Sequence, residues 1–429
     1  MVIFWFRRDL RLEDNTGLIA ALNDSDQVLP IFIFDTHILG ELPPTDSRIS
    51  FIARLLAKIN ASLATAGKSL AVFHGEPTTV IEELISENSI SAVYTNSDYE
   101  PYGVRRDEEI HQLLSARNIE FREFKDHVIF EKDEITKDDG SPYVVFTPYS
   151  KRWKEKFASL QPTPLLKALS FSRFAAHNYP FIGLPEIGFT ESSITVPEYD
   201  VSHPLIQNYG QTRNFPGSAA STSRLSPHLR FGSVSIRMAA SIAANHNNEI
   251  FLNELIWREF FIQILWHFPH TVGNCFRPKY EAIRWSRDEE AFRRWCEGKT
   301  GYPLVDAGMR ELNATGLMHN RVRMVVASFL CKHLLIDWRW GEAYFAMKLL
   351  DYEQASNVGN WQWAAGCGVD AAPYFRIFNP QEQARKFDKD LRYISKWVPE
   401  FGELTYPQPV IDHAEARERC LWTYKSALN

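Results

Sequence analysis

The sequence predicts an α/β domain followed by an all-α domain, and three observations carry that prediction. Short β-branched runs alternate with helical patterns over residues 1–130; beyond residue 201 apolar residues recur at helical spacing and strand-like alternation disappears; and ten of the twelve tryptophans fall in that later part. At 429 residues the chain is too long for one ordinary domain and long enough to bury two cores. Hydrophobic residues at 45% and charged residues at 23% mark a globular chain rather than a disordered or fibrous one.

In chain order, residues 2–6, 28–34, 70–74 and 92–95 read as strands, with 47–66 an amphipathic helix between two of them. Such alternation calls for a parallel sheet. Residues 131–200 mix Pro, Gly, Ser and aromatics without sustained periodicity and include the turn-forming Lys137-Asp138-Asp139-Gly140-Ser141-Pro142, so they are expected to connect the domains. From 201 to 429 the apolar spacing predicts helices, most clearly over 250–268, 304–312 and 321–335.

Several classes are excluded at this level. No apolar run is long enough to span a bilayer and the N-terminus lacks a signal-peptide pattern, so a cytoplasmic protein is expected. The five cysteines are odd in number, widely spaced and without a CxxC, and no HExxH occurs among the 13 histidines; neither a disulfide framework nor a metal site is expected. A formal charge of −6 argues against a nucleic-acid partner until its distribution is considered: residues 1–200 carry −10 and residues 201–429 carry +4. The helical part is therefore the one suited to DNA, although the same balance also fits an ordinary solvated surface.

Four segments combine residue types that chemistry uses. No GxGxxG follows any expected strand, so a dinucleotide would have to bind elsewhere. Ser221-Thr222-Ser223-Arg224-Leu225-Ser226-Pro227 places hydroxyls and a guanidinium ahead of a helical pattern, which suits a pyrophosphate and equally suits a plain helix cap. In Asn253-Glu254-Leu255-Ile256-Trp257-Arg258-Glu259-Phe260-Phe261, helical spacing puts Glu254, Trp257, Arg258 and Phe261 on one face; the bland alternative is a surface Glu254–Arg258 pair. His319-Asn320-Arg321-Val322-Arg323-Met324 aligns Asn320, Arg323 and Met324 opposite an apolar face, as an ordinary amphipathic helix also would. Asp351 to Trp363, followed by Gly366 to Arg376, is rich in Gly and Asn and indicates a tight backbone path beside a ligand.

Together with Trp5-Phe6-Arg7-Arg8-Asp9-Leu10-Arg11 and the Asn379-Pro380 region, these segments resemble the photolyase/cryptochrome family over nearly the whole chain, most nearly its class I cyclobutane pyrimidine dimer photolyases. The resemblance implies a Rossmann-like, doubly wound antenna domain at 1–130, a connector at 131–200 and a helical FAD-binding, DNA-binding domain at 201–429. It implies light-driven electron transfer from reduced FAD that splits cyclobutane pyrimidine dimers in UV-damaged DNA, by a monomeric enzyme; the alternative is a cryptochrome photoreceptor. A plain flavin oxidoreductase is disfavoured because no second dinucleotide site is visible. That the chain ends soon after Asn379-Pro380, without the extension many photoreceptors add, favours the enzyme.

Residue by residue, the resemblance assigns Tyr209, Thr222, Ser223, Arg224, Leu225 and Ser226 to FAD phosphates and ribitol. Arg258, Asp351, Glu353 and Asn357 fall near the flavin, with Arg323 pairing with Asp351 and Asn357 facing flavin N5. Glu254, Trp257, Asn320, Met324 and Trp363 become the dimer pocket, and Arg213 and Arg321 DNA contacts. Trp361, Trp338 and Trp285 match a chain of electron carriers from flavin to surface. Asn320 and Trp363 point to cyclobutane dimers rather than to six-four photolyases or DASH-type cryptochromes. At the antenna, Tyr102 and Gly103 stand where folate-binding relatives carry Asn-Glu. A deazaflavin contacted by Arg48, Asp98 and Glu100 is therefore expected in place of methenyltetrahydrofolate, or no chromophore at all.

Overall fold

Strand β1 (Val2–Phe6) is buried along its whole length, as a strand covered on both faces must be. Its side chains alternate between two cores: Phe4 and Phe6 join Leu18, Ile49, Leu56 and Leu63, whereas Ile3 and Trp5 join Ile81, Leu84, Ile110 and Leu114. The period of two thus assigns one set of helices to each face. β2 (Val28–Asp35), β3 (Ala71–Gly75), β4 (Ala92–Asn96) and β5 (Glu120–Phe124) complete a sheet of order β3-β2-β1-β4-β5 whose pairings are all parallel. The expected doubly wound sheet is present, with one strand more than the sequence pattern suggested. β5, Glu-Phe-Arg-Glu-Phe, contains no β-branched residue and lies at the sheet edge, where charged side chains are favoured and the apolar alternation weakens.

The computed structural model describes residues 1–160, 170–218, 221–246 and 248–428. Its contacts divide the chain into two units, neither continuous in sequence. The first, built on the sheet, comprises Met1–Ile135, Lys151–Pro197 and Ser226–Ala244; the second comprises Thr136–Ser150, Glu198–Leu225 and Asn245–Asn429. The stretch expected as a connector is therefore shared out between the units, apart from 161–169, which lie outside the described residues. It also holds the Phe146–Ser159 helix, whose buried Phe146, Tyr149 and Trp153 sit three and four residues apart. Likewise Ser226–Ala244 joins the sheet unit through Arg237, whose guanidinium spans Asp14 at 3.1 Å and Asp126 at 2.8 Å.

The second unit contains no strand among its described residues. Its central Glu249–His267 helix starts on an Asn248 cap, whose side chain accepts from the Phe251 N–H, and is apolar around most of its circumference, the mark of an interior helix. The helix expected over 321–335 is shorter: Asn320–Ser328 gives way to a π-helical turn, Phe329–His333, where the Leu334 N–H reaches five residues back to the Phe329 carbonyl at 3.1 Å. That wider turn lets Lys332 stay buried, its ammonium donating to the Ala365 carbonyl at 2.9 Å beneath the Tyr424 ring.

Candidate functional site

The Gln354–Ala365 helix and the loop before it gather charged and amide groups inside the helical unit. Arg258, on the Glu249–His267 helix, donates to Glu353 at 2.8 Å. Arg323 holds Asp351 through both carboxylate oxygens, at 2.9 and 3.1 Å, and spends its Nε on the Met318 carbonyl at 2.8 Å. The expected Arg323–Asp351 pair is present. The surface Glu254–Arg258 pair is not: the two side chains go to different partners, because Glu353 and Arg213 offer better geometry than an i,i+4 neighbour.

Asn357 is buried and donates from Nδ2 to the backbone carbonyl of Glu342 at 3.1 Å and to its carboxyl at 2.9 Å. This fixes the amide, leaving Oδ1 without a hydrogen-bond donor among the described residues. Burial pushes the Glu342 carboxyl upward. Glu342, which no local pattern singled out, thus orients Asn357 from a neighbouring helix, Trp338–Lys348.

The hydroxyl-rich loop is turned by the Asp200 N–H donating to the Ser223 carbonyl at 2.8 Å and by a left-handed Arg224, φ 53°. Thr222 and Ser223 are partly exposed, Arg224 is exposed and Leu225 is buried. These groups fit a phosphate: hydroxyl donors and an accessible guanidinium on a turn. Ser226 starts the Ser226–Arg230 helix and groups with the sheet unit. Tyr209 packs edge-on against Phe251 with the Arg213 guanidinium over its ring.

A second group borders this one. Arg213 pairs with Glu254; burial pushes the Glu254 carboxyl upward while Arg213 draws it down, and burial prevails. The half-buried Trp257 indole lies face to face on Phe146, centroids 3.7 Å apart and planes within 4°. Arg321 donates to Asn214 at 2.6 Å and stacks on Phe387. Met324 lies 3.8 Å from the same guanidinium, whereas Asn320 is exposed. His319 caps their helix by accepting from the Arg321 N–H, and burial together with Arg321, Arg323 and Arg213 pushes its ring down to about 4, so it is neutral at pH 7. Burial, Arg213 and Arg376 lower the Arg321 guanidinium, which places Arg376 in the same positive cluster. Phe146 and Arg376 escaped the sequence reading; Arg376 at least stood inside the Gly366 to Arg376 stretch.

Trp361 and Trp338 are fully buried and Trp285 is only partly so, all three within one apolar cluster. Phe345 and Trp295 both meet Trp361 edge-on, at 5.0 and 6.1 Å. Trp363 packs, half-buried, against the same cluster.

In the sheet unit, Asp98 and Glu100 converge on Arg8 at 3.0 and 3.2 Å, while Arg48 grips Asp46 at 2.6 Å. Arg8 holds the Asp98 carboxyl well below the usual carboxylate range despite its burial. Arg8, Asp98 and Glu100 stand just beyond the C-terminal ends of β1 and β4, where the strand order reverses and open α/β sheets bind ligands. Gly103 is required there, because a Cβ would fall 2.6 Å from the Asp98 side chain. Among the described residues no group of three or more His, Cys, Asp or Glu is arranged to hold a metal, and no helix is long and apolar enough to cross a membrane.

A doubly wound sheet unit and, in the same chain, a helical unit whose polar cradle neighbours a basic, aromatic patch define a class of two-domain proteins with a ligand site in the helical unit, and comparison narrows it. Residues 2–167 match the DNA photolyase family model and residues 251–405 match the FAD binding domain of DNA photolyase. The chain is 34% identical, over 100% of its length and 99% of the relative's, to the deoxyribodipyrimidine photo-lyase of Halobacterium salinarum. It superimposes on a bacterial class III photolyase from Agrobacterium tumefaciens (TM-score 0.88, 34% identity, 99% and 97% of the two chains). It also superimposes on an archaeal photolyase from Sulfolobus tokodaii with two FAD molecules (TM-score 0.83, 35% identity, 99% of each chain). The chain belongs to the DNA photolyase family.

Proposed function

We propose that this protein is a deoxyribodipyrimidine photo-lyase that uses FAD to split cyclobutane pyrimidine dimers in DNA. The observation that carries the reading is the clustering, in one helical unit, of the Arg258–Glu353 and Arg323–Asp351 pairs with the amide of Asn357. Bound there in its reduced form, FAD supplies light-driven donation of one electron to the dimer, chemistry that no amino-acid side chain offers.

The protein's own groups bind, orient and exclude water. Thr222, Ser223 and Arg224 would hold phosphate, with Tyr209 and Leu225 in the same unit; Asn357, held by Glu342, would offer a neutral amide oxygen to the flavin. Trp257 and Trp363 stack on the extruded pyrimidines, and Asn320 and Met324 complete the pocket wall. Glu254 donates to a base carbonyl, a role its raised carboxyl favours. Arg213 and Arg321 take phosphate. Extrusion selects the lesion, because a damaged pair is less costly to unstack than an intact one, a property that base-flipping enzymes, photolyases among them, exploit. Trp361, Trp338 and Trp285 would form a path for electrons between the surface and a bound flavin.

For a second chromophore we infer a deazaflavin beside Asp98, Glu100 and Arg48. The space at Gly103, taken up by Asp98, leaves no room for the Glu of folate-binding relatives. The test of the main reading mixes reduced protein with UV-damaged oligothymidylate and follows dimer loss under blue light against a dark control. Light-dependent loss is expected. FAD binding without repair would move the protein to the photoreceptor branch, and failure to bind flavin would overturn the reading.

A further inference from the structure

Trp257 is a partly exposed indole on an interior helix, and one of its two faces is not open. Phe146 lies flat on it, centroids 3.7 Å apart and planes within 4°, while Phe260 and Phe261 support the ring from its own helix at 5.6 Å each. Aromatic pairs ordinarily prefer offset or edge-on packing, so a nearly parallel pair at this distance needs something to impose it. The backbone supplies it. The Phe146 N–H donates to the Asp370 carboxylate at 3.1 Å, and Asp370 adopts a left-handed backbone, φ 44°, a conformation uncommon for a residue other than Gly. Phe146 also opens the Phe146–Ser159 helix, where an acidic partner on a free N–H is favourable. Buried Phe146 is further set by edge-on contact with Phe260 at 5.9 Å.

The geometry points to Phe146 as a positioning residue for lesion binding: it covers one face of Trp257 so that an extruded pyrimidine dimer meets only the other, and Asp370 sets Phe146 in place. This inference rests on the assignment of Trp257 to the dimer pocket. A free indole would offer two faces and rotate about its side-chain bonds. Backed by a flat ring, it offers one surface in one orientation, and the ordering is done before the ligand arrives. Two stretches of the sequence that no local pattern links, 136–150 and 366–376, thereby shape the pocket wall together.

The test measures the affinity of the FAD-loaded protein for UV-damaged and undamaged oligothymidylate in Phe146→Leu, Phe146→Tyr, Trp257→Ala and the double variant Phe146→Leu/Trp257→Ala, with flavin content as the check on folding. Phe146→Leu is expected to weaken damaged-DNA binding about tenfold, the upper end of what one stacked pair contributes. It is expected to leave undamaged binding and flavin content unchanged. Phe146→Tyr, still flat, is expected to restore affinity, and Phe146→Leu is expected to have no further effect once Trp257 is Ala. If Trp257→Ala binds damage normally, the pocket assignment fails. If Trp257→Ala loses binding but Phe146→Leu does not, or if Phe146→Leu weakens damaged and undamaged DNA alike, the positioning role alone is overturned.

Discussion

Glu254 shows how a single side chain depends on its surroundings. Its sequence neighbours supply an i,i+4 arginine, yet it pairs with Arg213, forty-one positions earlier in the chain, under burial that raises its carboxyl. Burial favours the neutral carboxyl, the form that donation to a base carbonyl needs, and displacing the remaining water acts in the same direction. Glu254→Ala is expected to weaken binding of UV-damaged oligothymidylate by about tenfold, as leaving a buried hydrogen-bond partner unsatisfied does. Glu254→Gln, which keeps an N–H donor, is expected to retain affinity within about threefold. Equal losses in the two variants, measured by titration, would show that charge rather than donation is what Glu254 contributes. At this scale the sequence named residues that the structure pairs, Arg258 with Glu353 and Arg323 with Asp351. It did not name their supports: Glu342 and Phe146 lie outside every motif, and nothing local distinguishes them from other acidic or aromatic residues.

Among elements, the close approach of the Trp338–Lys348 and Gln354–Ala365 helices is decided by one residue. Gly341 has no side chain, and a Cβ there would collide with the Trp361 ring and the Leu330 methyl. Alanine is the better helix former by about 1 kcal/mol, but overpacking a tight core costs about 1–3 kcal/mol. Gly341→Ala is therefore expected to destabilise the protein by about 1 kcal/mol and to displace Trp361. Denaturant unfolding together with the rate of flavin photoreduction would check it; a stabilised variant with an unchanged rate would show that Trp361 shifts without consequence. Strands β1 to β4 were legible as short apolar runs, as strands covered on both faces are, and the long helices because each keeps a period of 3.6 over several turns. β5 and the π turn were not: an edge strand carries charge instead of alternation, and a single widened turn inside a helical run interrupts the 3.6 period without a residue pattern of its own.

Across the whole molecule, buried histidines tie stability to pH. Burial and three guanidiniums push His319 down to about 4, and burial beside His413 and Arg419 pushes His333 down to about 3, against about 6.5 in an unfolded chain. Above pH 6.5 neither state is protonated and the contribution is flat. Between 6.5 and about 4 only the unfolded chain takes up a proton at His319, so stability falls as pH falls, by at most about 1.4 kcal/mol per pH unit for this group. Buried carboxyls pushed upward, Asp306 and Glu311 among them, act in the opposite sense, so the total slope is a mixture. His319→Asn keeps a cap acceptor and removes the titration. The stability advantage of the unaltered protein over this variant, followed by urea unfolding, is expected to shrink from pH 6.5 to pH 4; a constant difference would contradict the neutral buried ring.

The sequence by itself determined the fold class and the order of the principal elements and put forward the candidate residues, because hydrophobic periods and motif composition are local properties written along the chain. Tertiary structure alone decided which of those residues meet and what holds them. Arg213 reaches Glu254, Phe146 covers Trp257, Glu342 orients Asn357, and the stretch 131–200 divides between two units. Each of these is a long-range contact whose energy depends on burial and geometry at a point where distant segments converge, and no local period records where that point lies.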